Sequence, residues 1–143
     1  MKNSKKVMLT LITLLTVVNV SVNAKNISQD ELQALMVNEV KPLLIDVRTE
    51  KEYADGHVPG AINIPHKELE QRLAELSGVK NSQVILYCRS GTRAGIAKKI
   101  LEKNGFEQLD HLTGDYIAWN KKGLPLVKSE KSEGKKVSNP CAL

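Results

Sequence analysis

Between residues 25 and 127, short apolar runs alternate with stretches whose apolar residues recur every three or four positions. Leu43-Leu44-Ile45-Asp46-Val47, Ala61-Ile62-Asn63-Ile64 and Val84-Ile85-Leu86-Tyr87 read as buried strands, with a further candidate over Phe106–Leu112. Helical spacing joins Leu32, Leu35 and Met36 behind a Ser28-Gln29-Asp30-Glu31 capping box. It recurs at Leu69, Leu73 and Leu76, which predict a helix ended by Ser77-Gly78. The apolar positions Ala94, Ile96, Ala97, Ile100 and Leu101 predict a longer helix that stops at Asn104-Gly105. A brief helical turn is expected over 50–54, and a short helix over 115–121 before Gly123. Strands alternating with helices predict an α/β domain: a mainly parallel central sheet flanked by helices on both faces.

The pattern changes at both ends. Lys2, Lys5 and Lys6 precede an apolar run from Val7 to Val18, and Val22 and Ala24 supply short residues before a cut after Ala24. This is the anatomy of a cleavable signal peptide over residues 1–24, and the run is too short for a lasting membrane anchor. It predicts export, to the periplasm in a bacterium. Residues 128–143, KSEKSEGKKVSNPCAL, are polar and aperiodic and read as a disordered tail after a domain over 25–127.

Charge enters the picture here. The chain of 143 residues carries 21 basic and 16 acidic side chains, for a net charge of +5, and its pI is near 9.2. The leader holds three of those lysines, and the tail sets four lysines against two glutamates, so residues 25–127 are formally neutral. The basic pI therefore reflects an export signal and a solvated tail, and nucleic acid is not an expected partner. The length fits one domain, and two cysteines are too few for a disulfide scaffold or a four-cysteine zinc site.

The chemistry concentrates where the clearest strand ends. Cys88 follows Tyr87 directly and opens the loop Cys88-Arg89-Ser90-Gly91-Thr92-Arg93, which leads into a helix. Ligands bind at the carboxyl ends of strands in such sheets. Backbone N–H groups and the positive end of a helix both favour a thiolate over a thiol. Arg89 and Arg93 add two fixed cations suited to an anionic substrate. Gly91 permits a tight turn, and Ser90 and Thr92 offer hydroxyl donors. A lone cysteine after an apolar strand is often only a small buried hydrophobe, but a core cysteine needs no flanking arginines. Cys88 is thus the candidate nucleophile.

Taken together, Leu44–Arg48, Glu52-Tyr53, the segment GHVPGAINIP from Gly56 to Pro65, Val84–Arg93, Gly114, Trp119 and Gly123-Leu124-Pro125 resemble the single-domain rhodaneses, and among them the exported, phage-shock-type periplasmic members. The resemblance spans 25–127. It implies a rhodanese-like fold and sulfurtransferase activity: Cys88 takes the outer sulfur of a thiosulfate-like donor as a persulfide and yields it to a thiophilic acceptor such as cyanide or a thiol. It implies Arg89, Ser90, Gly91, Thr92 and Arg93 as the substrate-binding loop, Asp46 and Arg48 as a supporting brace, and no metal or organic cofactor. Related phosphatases carry one more residue between cysteine and arginine, so the shorter loop here places phosphatase or arsenate reductase chemistry behind sulfur transfer. A non-catalytic binding or regulatory module with this fold ranks behind it too. So does thiol exchange by Cys88, which the lack of a C-x-x-C pair weakens.

Three further features qualify the reading. His57, His66 and His111 show no metal-ligand spacing, and His57 belongs to the turn pattern of its segment. Where similar proteins often have Gly-Gly after the last strand, this chain has Gly114-Asp115, which places an acid at one rim of the pocket. Cys141, in the tail, is expected to be a bystander; a disulfide with Cys88 would instead switch the site off.

Overall fold

The three inner strands of the sheet are largely buried because their residues alternate between two apolar layers. The computed structural model describes residues 25–129; the leader, the tail from residue 130 onward and Cys141 lie outside the described residues. Five strands run in chain order: β1 (Asn26–Ile27), β2 (Leu43–Asp46), β3 (Ile62–Asn63), β4 (Val84–Tyr87) and β5 (Leu109–Leu112). They lie in the spatial order β1-β5-β4-β2-β3, and all four neighbouring pairs are parallel. Four helices connect or follow them: α1 (Gln29–Met36), α2 (Glu50–Asp55), α3 (Thr92–Lys103) and α4 (Asp115–Lys121). The chain is an α/β single domain, as its pattern predicts.

Leu44, Ile85, Tyr87 and Leu112 face one layer, where they meet Leu32 of α1 and Trp119 of α4. Ile45, Val47, Val84, Leu86 and Leu109 face the other, against Ala94, Ala97 and Leu101 of α3. Apolar side chains on both faces explain why β2 and β4 read as continuous apolar runs without polar alternation. Cys88 belongs to the α3 layer.

Three elements differ from the sequence pattern. Leu69, Leu73 and Leu76 are spaced for an α-helix, but their segment is a series of turns followed by a 3₁₀ helix over Leu73–Val79. Its bonds include Gln71 N–H to Glu68 at 3.0 Å and Glu75 N–H to Arg72 at 3.1 Å, each three residues back. Leu69 and Leu76 are buried all the same, and Ser77-Gly78 gives the chain little reason to settle into wider α turns. The last strand starts at Leu109, not Phe106, because its partner β4 begins at Val84, opposite Leu109; Phe106 N–H instead caps the end of α3 on Leu101 O at 3.2 Å. Strand β1 has only two residues, too few to show a period.

The order of strands determines where a site can form. From β2 the chain moves outward to β3, then returns to lay β4 on the other side of β2. The segments leaving the carboxyl ends of β2 and β4 therefore diverge, and they leave a crevice between them. Asp46 and Arg48 brace its β2 side. Arg48 Nη2 meets Asp46 Oδ2 at 2.6 Å and donates to Gly56 O at 2.8 Å, with its guanidinium 4.0 Å from the Tyr116 ring centroid. Both ionic side chains are almost wholly buried. Burial opposes the charge on Arg48, yet the Asp46 carboxylate outweighs it and holds the guanidinium pKa above its usual value.

Removing one partner of such a pair strands the other. Arg48→Ala is expected to destabilise the fold by about 3–5 kcal/mol, read from the urea midpoint at unchanged slope; a loss below about 1 kcal/mol, the range of an exposed pair, would show that the brace is dispensable.

Candidate active site

Strand β4 delivers Cys88 to the crevice at its carboxyl end, with 1% of the residue exposed. The chain then turns sharply enough for Gly91 N–H to donate back to Cys88 Sγ at 3.1 Å. That turn holds Gly91 at φ +101°, a conformation costly for any residue with a Cβ. A side chain would also be tight, since a Cβ here would lie 3.2 Å from Asp115 Oδ2 and 3.5 Å from His111 Cε1. Gly91 is the N-cap of α3, and no side chain caps that helix end. The orphan amides of the first turn thus receive no side-chain acceptor at the N-cap.

The loop residues occupy different places. Arg89, Ser90 and Thr92 are exposed. Arg89 lines a cleft of about 230 Å³ with Arg48, Glu52, Asp55 and Tyr116, and among the described residues it enters no ion pair. Arg93, expected from sequence to bind substrate, is gripped by Glu52: Nη1 and Nη2 reach the two carboxylate oxygens at 2.7 and 2.9 Å. The Glu52 carboxylate, and more weakly the Cys88 sulfur, raise the guanidinium pKa. Asp46 and Arg48 stand across the crevice as the brace described above.

Glu52 is a site residue that sequence reasoning passes over. It completes a capping box on α2, accepting Thr49 N–H at 3.1 Å and the Thr49 hydroxyl at 2.8 Å, while the same carboxylate binds Arg93. The Thr49-x-x-Glu52 pattern signals the cap, but nothing local signals an arginine 41 residues away. His111 and Asp115 also carry more than their setting in the sequence suggests. Asp115 does not stand at the rim: it is buried beneath the loop, its Oδ1 accepting Cys88 N–H at 2.8 Å, with His111 Nε2 at 3.1 and 3.0 Å from its two oxygens. Tyr116, whose ring covers Arg48, has no signal beyond its place in a short helix.

His57 has the ordering role its segment suggests. Its Nδ1 lies 2.9 Å from Tyr53 O, its ring stacks on Tyr53 with centroids 3.6 Å apart, and its backbone bridges to Val127. Among the described residues no group of three His, Cys, Asp or Glu side chains could hold a metal ion, and no helix is long and apolar enough to cross a membrane.

Comparison with known proteins bears on this geometry. A family profile described as a rhodanese-like domain matches residues 28–122. A protein named sulfurtransferase from Allochromatium vinosum is 35% identical over 104 residues, covering 73% of this chain and 95% of that protein. The thiosulfate sulfurtransferase PspE of Escherichia coli is 43% identical over 70 residues, covering 49% and 67%. Among solved structures, a rhodanese with anions from E. coli aligns at a TM-score of 0.53 and 38% identity, covering 62% of this chain and 99% of that one.

The Glu52–Arg93 pair makes stability depend on acid. Chiefly through its hydrogen bonds to Arg93, Glu52 titrates at about 2 in place of about 4.5. A depressed carboxylate pKa stabilises the fold fully above the unfolded value and loses that contribution as pH falls through the folded one. Glu52→Gln is therefore expected to be less stable than the parent at neutral pH. The gap should close between about pH 4.5 and pH 2, measured by urea denaturation at each pH; a gap constant across that window would contradict the pairing.

Proposed function

This chain belongs to the rhodanese-like family, and we propose that it is a thiosulfate-type sulfurtransferase working through a Cys88 persulfide. One observation carries the reading: the Cys88 sulfur sits at the carboxyl end of β4, receives the Gly91 amide, and lies beside the uncapped start of α3. A sulfur so placed is stabilised as an anion by N–H donors and by the helix field, both as a thiolate and as a persulfide.

The chemistry balances without a cofactor. The Cys88 thiolate attacks the outer sulfur of the donor, an S–S bond to Sγ forms, the donor's own S–S bond breaks, and sulfite departs with the bonding electron pair. An acceptor such as cyanide or a thiol then attacks the persulfide's outer sulfur, and the Cys88 thiolate leaves. Donor and leaving group are anions. Arg89, exposed and outside any ion pair among the described residues, is the cation at hand to hold them. Arg93 contributes once part of its guanidinium fork turns from Glu52, or through donors the carboxylate leaves unused. The E. coli rhodanese solved with anions and the thiosulfate sulfurtransferase PspE support an anionic donor. The loop from Cys88 to Arg93 is one residue shorter than that of the related phosphatases, which favours a single sulfur over a phosphate-sized group.

The basic start and apolar run of residues 1–24 support export to the periplasm, cleavage after Ala24, and a mature chain with no lasting membrane anchor. The domain would then span 25–127 and be followed by a polar tail.

Incubating the purified mature chain with thiosulfate is expected to add the mass of one sulfur atom. Cyanide should remove it as thiocyanate, and Cys88→Ser should abolish it; absence of both adduct and thiocyanate would refute the proposal. In the native host, the protein should appear in the periplasmic fraction with Lys25 as its first residue, and a retained leader would refute the export reading.

A further inference from the structure

Sulfur transfer as proposed makes no use of the Asp115–His111 pair under the Cys88 loop, of which Asp115 is buried. Asp115 is 2% exposed and holds φ +54°, directly after Gly114 at +71°. The left-handed region suits glycine and disfavours an L side chain, so an aspartate kept there and buried calls for a reason. Its contacts supply one. Oδ1 accepts the amide of Cys88 at 2.8 Å, Oδ2 lies against Gly91, and both oxygens face His111 Nε2. One carboxylate therefore touches both ends of the stretch whose turn brings the Gly91 amide onto Sγ.

We propose that Asp115 and His111 are a positioning pair that tunes how readily the Cys88 sulfur carries negative charge: the carboxylate opposes it, and the His111 ring facing both carboxylate oxygens offsets the carboxylate. The other polar groups around the loop act in a known sense. Arg89 and Arg93 and the start of α3 favour the anion, with Arg93 partly neutralised by Glu52 of α2. On the β2 side Arg48 is neutralised by Asp46, Tyr116 of α4 covers Arg48, and α1 presents only the neutral Gln29 near Gly114. Cations and a helix end favour the sulfur anion, and a thiolate that is too stable is a poor nucleophile. The attacking thiol works best when its ionisation lies near ambient pH. A buried negative charge that fixes the loop geometry restores that balance, and a partly exposed His111 makes the balance adjustable.

The inference rests on Cys88 being the reacting group, and its test needs no sulfur donor, so failure of sulfur loading and failure of this pairing are read separately. In the full mature chain carrying Cys141→Ser, the ultraviolet absorbance of the thiolate is followed against pH. Each trace is referenced to the same chain with Cys88→Ser, which removes the tyrosine signal. Asp115→Asn tolerates a left-handed backbone and keeps an acceptor for Cys88 N–H while losing the charge; it is expected to lower the ionisation midpoint by about half a pH unit or more. Asp115→Gly, free of backbone strain, should lower it likewise and guards against misfolding of the first variant. His111→Gln keeps a donor to Asp115 but cannot carry charge, and should raise the midpoint by a similar amount. Opposite shifts from the two halves of one pair are not produced by loosening the loop. Midpoints that stay within error, or that all move the same way, would overturn the proposal.

Discussion

Strand β4 lies between β2 and β5 and is buried along its whole length, and the chemistry of this chain depends on the point at which that strand stops. A parallel strand inside a sheet uses its backbone groups for its neighbours. Past Tyr87 the ladder with β2 continues only through Val47 N–H to Tyr87 O at 3.0 Å, and the amides that follow are released from sheet pairing. The chain must then turn into α3 within a few residues. That turn places the Gly91 amide on the sulfur and starts α3 without a side-chain cap. Burial of the strand and openness of the loop are therefore two results of one constraint.

The surroundings of the sulfur are organised as neutralised charges. Arg48 is matched by Asp46, Arg93 by Glu52, and Asp115 faces His111. Arrangements of this kind hold geometry well, because each side chain is fixed by a partner, and they restrain the local field. Arg89 stands outside these pairs and lines the cleft beside Arg48 and Tyr116. Among the described residues, the arginines of this site divide into two held by carboxylates, Arg48 and Arg93, and one that is not, Arg89.

Much of the fold was legible because it depends on local rules. The Ser28–Glu31 cap, the apolar runs of β2 and β4, the periodic face of α3 and the Asn104-Gly105 stop each follow from residues close in sequence. Where sequence and structure part, a distant partner decides. Strand β5 begins at Leu109 because β4 begins at Val84, and β1 exists because His111 and Leu112 offer it an edge. The Leu69–Leu76 segment shows the reverse case: the right residues are buried, but on turns and a 3₁₀ helix, since side-chain spacing reports burial more faithfully than backbone winding.

By itself the sequence determined the candidate nucleophile, Cys88, and its local setting. A cysteine at the end of an apolar strand, two arginines in its loop and a glycine at the turn are contiguous, so their chemistry can be read without a fold. Only the tertiary structure decided what each charge does. Arg93 looks free in the sequence and is held by a glutamate from α2; Asp115 looks like a rim residue and lies beneath the loop; His111 looks like a strand residue and pairs with Asp115. The physical reason is that Coulomb interaction depends on distance and burial, and for these groups both are set by how β4, β5, α2 and α4 pack, which no local stretch of residues records.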